Sequence, residues 1–273
     1  MTSYQFTEGG VTVVLEHVTT GAFEAIRKSF CDLLAASGKS REAIAEGFMF
    51  AIKRCPNANP SDLWHHVLYR QYLQSHTASN PAQSWVRAGG EALEVFLGAL
   101  YNPVLIAHDL TLVPLISRQK KQEALSALGL GASVGNSKLD IAIAKRSTGS
   151  DFKTIGGVHV KASLAERVSD DVPASIAMME AGFLSILWTL DVKSFPPPRG
   201  NLVNRGELGT QERPSDKRLY IEQHGSFDAC FSYNLRSVPS QKTTHSGKRI
   251  FVQGLMPQPD AFVHYLAKES KRY

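Results

Sequence analysis

Cysteine is scarce in this chain: 273 residues carry three, Cys31, Cys55 and Cys230. None stands at metal-ligand spacing from another, and the three form no disulfide framework, which points to a reducing cytoplasm. Long hydrophobic runs are also missing. The longest, around residues 181–190, is too short to span a bilayer, and the first residues have no apolar signal core, so no membrane partner is expected. There is no internal repeat. Acidic residues are in deficit: 25 Asp and Glu against 30 Lys and Arg give a net charge of +5, a mild bias toward polyanionic partners. What is present is a globular composition, 43% hydrophobic and 20% charged, in a length able to bury a substantial core.

Residues 139–161 organise the rest. Leu139, Ile141 and Ile143 alternate with Asp140, Ala142 and Ala144, the period of a half-buried strand. The polar, glycine-containing stretch 146–157 reads as a turn. Val158 and Val160 then alternate with His159 and Lys161. If the two strands pair with those faces aligned, Asp140 and Lys161 reach one scissile bond. The residue types suit phosphodiester hydrolysis: a carboxylate holds a hard cation such as Mg²⁺, and lysine orients or activates water and offsets developing negative charge. His159 stands two residues before the lysine, where a second acid is usual, so that acid must come from elsewhere.

Around this pair the chain reads as follows. Val11–Leu15 is a short strand, and Gly21–Leu73 carries three helical segments with apolar residues at three- and four-residue spacing. His65 and His66 are adjacent and do not share a helix face as metal ligands would. Ala78–Ala82 is a linker. The next helix bears Glu91 and Glu94 beside the apolar side formed by Leu93, Phe96, Leu97 and Leu100; Glu94 is either a solvated residue or a further acid for the site. Residues 117–130 form a short basic helix. Gly131–Gly135 matches G-x-S-x-G, but a helix precedes and a strand follows, the reverse of a nucleophile elbow, so it reads as a turn. Asp170 and Asp171 lie just before a helix with Pro173 in its first turn. That helix runs to about Leu190 and carries Glu180 within an apolar stretch, a candidate for the missing acid. Residues 194–209 are a loop; 219–225, 227–234 and 249–256 read as three strands, and 260–273 as an amphipathic helix.

Four segments taken in order, Trp85–Glu94, Lys138–Asp140, His159–Pro173 and Asn204–Leu208, resemble type II restriction endonucleases of the PD-(D/E)xK kind that read CCGG-containing palindromes. The resemblance covers roughly residues 80–240. It implies an α/β fold: a restriction-endonuclease-like core with a central mixed sheet flanked by helices, plus an N-terminal helical region. The whole chain is then one nuclease domain, with residues 1–79 mainly helical and 80–273 the catalytic and DNA-recognition core. In several family members the second acid has moved to the following helix, which promotes Glu180. The implied catalytic residues are Asp140, Lys161, Glu180 and Glu94, with Glu91 as runner-up to Glu94 and Asp140 and Glu180 as Mg²⁺ ligands.

The same resemblance makes Arg167, Ser169, Asp170 and Asp171 the DNA-reading segment, although the arginine lies six residues after the lysine and an aspartate replaces the family's last arginine. Arginine can pair with guanine O6 and N7, and aspartate can accept from cytosine N4. Read without the family, the two aspartates cap a helix and Arg167 makes a surface salt bridge. Arg87 and Arg205 are further candidates for phosphate or base contact. The implied activity is Mg²⁺-dependent cleavage of double-stranded DNA at A/CCGGT, leaving 5′ CCGG overhangs, by a bacterial cytoplasmic enzyme that is a homodimer at least on DNA. The alternatives are a repair or recombination nuclease on the same core, or a DNA-binding module that no longer cuts.

Overall fold

The structure is a computed structural model and describes residues 3–8, 10–75, 79–131, 139–147, 151–165, 167–193 and 202–273. An antiparallel ribbon, β1 (Ser3–Glu8) and β2 (Val11–Glu16), leads into α1 (Thr20–Ala36), whose first turn is capped by the Thr19 hydroxyl. There follow α2 (Ser40–Arg54), α3 (Pro60–Asp62), a π-helical turn at Leu63–Tyr69, α4 (Arg70–Ser75) and the long α5 (Pro81–Leu105). Then come β3 (Leu110–Pro114), α6 (Arg118–Ala127), β4 (Ile141–Arg146), β5 (Phe152–Lys161), α7 (Arg167–Glu180), β6 (Leu184–Thr189), α8 (Asp216–Glu222), β7 (Ala229–Ser232), β8 (Ile250–Val252) and α9 (Ala261–Glu269).

Strands β3 to β8 form one mixed sheet in sequence order. β3, β4 and β5 pair antiparallel; β5 to β8 pair parallel. Ile141, Val158, Val160, Ile186 and Trp188 join the large core shared with α1, α2, α5 and α9. On the other side, Ala142 packs with α6 and α7, while Leu187, Cys230 and Ile250 pack with Val168 and Ile221. By length and composition α5 would pass for a membrane span. Its Leu93, Phe96, Leu97 and Tyr101 are instead buried in the core, and Glu94 is buried among them.

Several sequence expectations change. Arg146–Gly157 is not all turn, because β5 starts at Phe152. Its paired glycines are close-approach positions: a Cβ on Gly156 would lie 2.4 Å from the Leu184 carbonyl oxygen, and one on Gly157 would lie 2.1 Å from Leu139 Cδ1. The helix expected to reach Leu190 stops at Glu180; Gly182 turns the chain at φ +82° and the apolar run becomes β6. That helix starts at Arg167, so Pro173 lies inside it rather than in its first turn. Residues 219–222 are helical, not a strand, because Ser215 caps α8 and Arg218 pairs with Glu222 one turn on at 2.6 Å. The Ala78–Ala82 linker is shortened, since Asn80 caps α5 and Pro81 opens it. β1 was not anticipated at all. Most of the Gly131–Gly135 motif lies outside the described residues, as does Lys138.

The N-terminal helices are fastened to the sheet by buried polar groups. Asn59 Nδ2 donates to Asn234 Oδ1 at 2.9 Å, Asn204 Nδ2 donates to Ser61 Oγ at 2.6 Å, and Arg236 Nη1 donates to Asp62 Oδ2 at 2.6 Å. Asn234 Nδ2 also donates to the Asp191 carbonyl at 3.0 Å. Asp191 follows β6 at φ +47°, and its carboxylate accepts the Glu207 amide at 2.6 Å and the Ser237 hydroxyl at 2.5 Å.

Candidate active site

The site lies where the start of β4, the end of β5 and the first turns of α7 converge beside α5 and α6. Asp140 immediately precedes β4. Its Oδ2 accepts the Val160 amide at 2.8 Å and the Lys161 ammonium at 3.1 Å. The last pair of this ladder is Ile141 with Val158, so the aspartate side chain supplies an acceptor to an amide just beyond it. Lys161 ends β5 and also reaches Asp171 Oδ2 at 2.7 Å. Burial disfavours the charged forms of both Asp140 and Lys161, but their partners outweigh it. Lys161, Lys121 and the Val160 amide hold the Asp140 carboxyl below its ordinary value, and Asp140 and Asp171 hold the Lys161 ammonium above its own.

Glu94 comes from the middle of α5. Burial pushes its carboxyl up to about 8; the nearby Asp140 charge adds to this, while Lys121 and Lys161 oppose it. Its Oε2 has no hydrogen-bond partner among the described residues. A buried carboxyl with a spare oxygen, within electrostatic reach of a second carboxylate, suits a divalent cation. Among the described residues no three His, Cys, Asp or Glu side chains enclose a cation by themselves. Phosphate and water would complete the shell, as Mg²⁺ sites commonly allow.

His159 is fully buried. Its Nε2 is 3.1 Å from Ser185 Oγ, which lies 2.6 Å from Ser175 Oγ, and its Nδ1 is 3.8 Å from Asp171 Oδ2. The Ser–His–Asp combination has no solvent access and so cannot serve as a nucleophile relay. It ties β5, β6 and α7 together beneath Asp171.

The structure thus brings Asp140, Lys161 and Asp171 into direct contact and sets Glu94 within their electrostatic reach. Glu180 is not among them. It is the exposed last residue of α7, about 13 Å along the helix axis from Asp171 at 1.5 Å per residue. Glu91 is engaged by Arg41 at 3.0 Å and Arg87 at 3.4 Å. Arg87 lines a cleft of about 590 Å³ with Lys39, Arg41, Gln83 and Glu91. Arg167 opens α7, Ser169 and Asp170 are exposed on its first turns, and Arg205 is exposed in the segment before Gly206, whereas Asp171 is buried. Two residues of the site were not singled out for it by the sequence. Asp171 is assigned by the sequence to the DNA-reading segment, with helix capping as its plain alternative, and Lys121 is one of several cations in a basic helix. Only helical phase marked Lys121, which shares a face with Ala124, Leu125 and Leu128.

Comparison with known proteins agrees with this architecture. The family described as BsaWI restriction endonuclease type 2 matches residues 115–252. The type II restriction enzyme AgeI of Thalassovita gelatinovora is 52% identical over 263 residues, 94% of each chain. The crystal structure of a specific AgeI–DNA complex superposes with a TM-score of 0.92 at 50% identity, covering 98% of this chain and 99% of that one. A pre-specific BsaWI–DNA complex shares the fold, with a TM-score of 0.50 at 16% identity over 92% and 93% of the two chains. A six-stranded mixed sheet with an acid at the start of one strand and a lysine at the end of the next, and relatedness along nearly the whole length, place the chain in the BsaWI family of type II restriction endonucleases.

Proposed function

We propose that this restriction endonuclease cleaves double-stranded DNA by Mg²⁺-dependent hydrolysis at a palindrome containing CCGG, with A/CCGGT its site and 5′ CCGG overhangs its product. The observation that carries the reading is the Lys161 ammonium lying between Asp140 at 3.1 Å and Asp171 at 2.7 Å. In this reading Asp171, not Glu180, is the second acid. It hangs from the helix that follows the catalytic strand and replaces the carboxylate absent at His159.

Asp140 and Asp171 would hold the cation through carboxylate oxygens, and Glu94 would join as a supporting acid by giving up its proton. When bound, Mg²⁺ supplies Lewis-acid stabilisation to the scissile phosphate. Lys161 orients the attacking water and offsets charge developing on phosphorus. In this structure Asp140 and Asp171 hold it as an ammonium, which supplies charge and hydrogen bonds; once those carboxylates turn to a cation it can also activate the water. Water adds to phosphorus, the ester P–O bond breaks, and the leaving oxygen is protonated.

Arg167, Ser169 and Asp170 are assigned to base reading, and Arg87 and Arg205 to phosphate contacts. Asp170 and Asp171 are consecutive, so one helical turn would join reading to cutting. A palindrome is read most simply by a two-fold dimer. One large core running from Val13 to Leu266 supports a single domain, and three free cysteines suit the bacterial cytoplasm. The 52% identity to the type II restriction enzyme AgeI supports site-specific cleavage, and the ACCGGT assignment rests on the family resemblance of the sequence. The test is plasmid digestion with Mg²⁺ followed by sequencing of the fragment ends. Ends beginning 5′-CCGG after an A are expected. Retardation of DNA without cleavage, or cleavage at unrelated sequences, would overturn the proposal.

A further inference from the structure

Lys121 sits on the buried face of α6, in phase with Ala124, Leu125 and Leu128, while Arg118, Gln119 and Lys120 beside it are exposed. Its side chain is 17% exposed, and its Nζ is 3.6 Å from Asp140 Oδ1. Lys161 takes the other oxygen, Oδ2, at 3.1 Å. Helix α6 is held in place by Ser117, whose hydroxyl accepts the Lys120 amide at 3.2 Å and whose carbonyl accepts the Lys121 amide at 3.1 Å. The Asp140 carbonyl in turn accepts the Leu115 amide at 3.0 Å, which ties the end of β3 to the same residue. Both oxygens of the central aspartate therefore face lysine ammonium groups from two different elements.

We propose that Lys121 is a positioning residue that occupies the Oδ1 side of Asp140 until a divalent cation replaces it. This rests on the assignment of Asp140 as a metal ligand made above. Without metal, two ammonium groups balance the Asp140 and Asp171 carboxylates, and the site stays assembled. Metal entry at Oδ1 requires the ammonium to move aside, because two cations cannot share that oxygen at close range without strong repulsion. Lys121 thus stabilises the empty site and weakens metal binding at once, two effects that a lysine with only a packing role would not couple.

Lys121→Met, Lys121→Gln and Lys121→Arg are compared with wild type by three measurements. These are calorimetric binding of Ca²⁺ without DNA, thermal melting in EDTA and in saturating Mg²⁺, and the Mg²⁺ concentration giving half-maximal cleavage of a plasmid. Lys121→Met and Lys121→Gln should bind Ca²⁺ more tightly and reach half-maximal cleavage at lower Mg²⁺, both by roughly three- to tenfold. They should melt lower than wild type in EDTA, with the gap closing in Mg²⁺. Lys121→Arg, which keeps the charge, should retain the wild-type midpoint. Unchanged or weaker metal binding in both neutral variants, or a melting deficit equal with and without Mg²⁺, would overturn the inference. Failure of the wild type to cleave with Mg²⁺ would instead overturn the functional reading on which it rests.

Discussion

Two buried polar clusters border the same sheet, and they are built on opposite principles. Around Asn59, Asn204, Asn234 and Asp191, amides, hydroxyls and the Asp191 carboxylate meet at 2.5–3.0 Å with their hydrogen bonds made, and they clamp the N-terminal helices to the strands. Around Asp140 the groups are charged and crowded, and Glu94 keeps an oxygen without a hydrogen bond among the described residues. Satisfied polar networks rigidify a fold, whereas incompletely satisfied ones store a cost that only a ligand relieves. The difference separates a fastening from a receptor.

The comparison can be broken most decisively on the charged side. Asp171→Asn, like Asp140→Ala and Lys161→Ala, should lower single-turnover cleavage about a thousandfold or more while leaving the circular dichroism spectrum intact. Glu180→Gln should cut within about twofold of wild type; a collapse of Glu180→Gln with active Asp171→Asn would return the second acid to the far end of α7.

The fastening should respond in stability. Asn234→Ala leaves Asn59 and the Asp191 carbonyl short of partners, and urea denaturation should show a loss of about 3 kcal/mol. A loss below the error of the extrapolation would remove the distinction between the clusters.

The smallest expected effect concerns protons. The Glu94 carboxyl titrates at about 8 in the folded chain against an ordinary value of 4.5. The folded state therefore holds this proton more tightly than the unfolded one. The stabilisation is complete below pH 4.5 and is lost as pH rises to about 8. Glu94→Gln does not titrate, so in metal-free melts it should gain on wild type between pH 5 and pH 8, by up to about 3 kcal/mol. Parallel pH profiles for the two proteins would show that Glu94 is better solvated than its place in α5 implies.

The acid–lysine pair was legible because alternation fixes which side chains share a face: Asp140 and Lys161 needed only the right pairing to meet. Glu94 was legible as an acid at the border of an apolar helix side. Asp171 is read from the sequence as a base-reading or capping residue rather than as an acid of the site, because two successive aspartates at a helix start have a sufficient explanation in capping and dipole chemistry. β6 was hidden for a different reason. A parallel strand covered on both faces loses its alternation and reads as a continuation of the preceding helix, and all six of its residues are buried. The segment at 219–222 was misread because four residues are too few to distinguish the two periods, and its cap lay upstream at Ser215.

The bare position at Gly157 acts as a gauge for the reaction centre. Leu139 Cδ1 occupies the place where a methyl group would stand, 2.1 Å from it, and Leu139 is bonded directly to Asp140. A side chain at 157 would make Leu139 turn its own side chain aside, next to the residue that carries the carboxylate. The packing beside the candidate site is therefore set partly by atoms the chain omits.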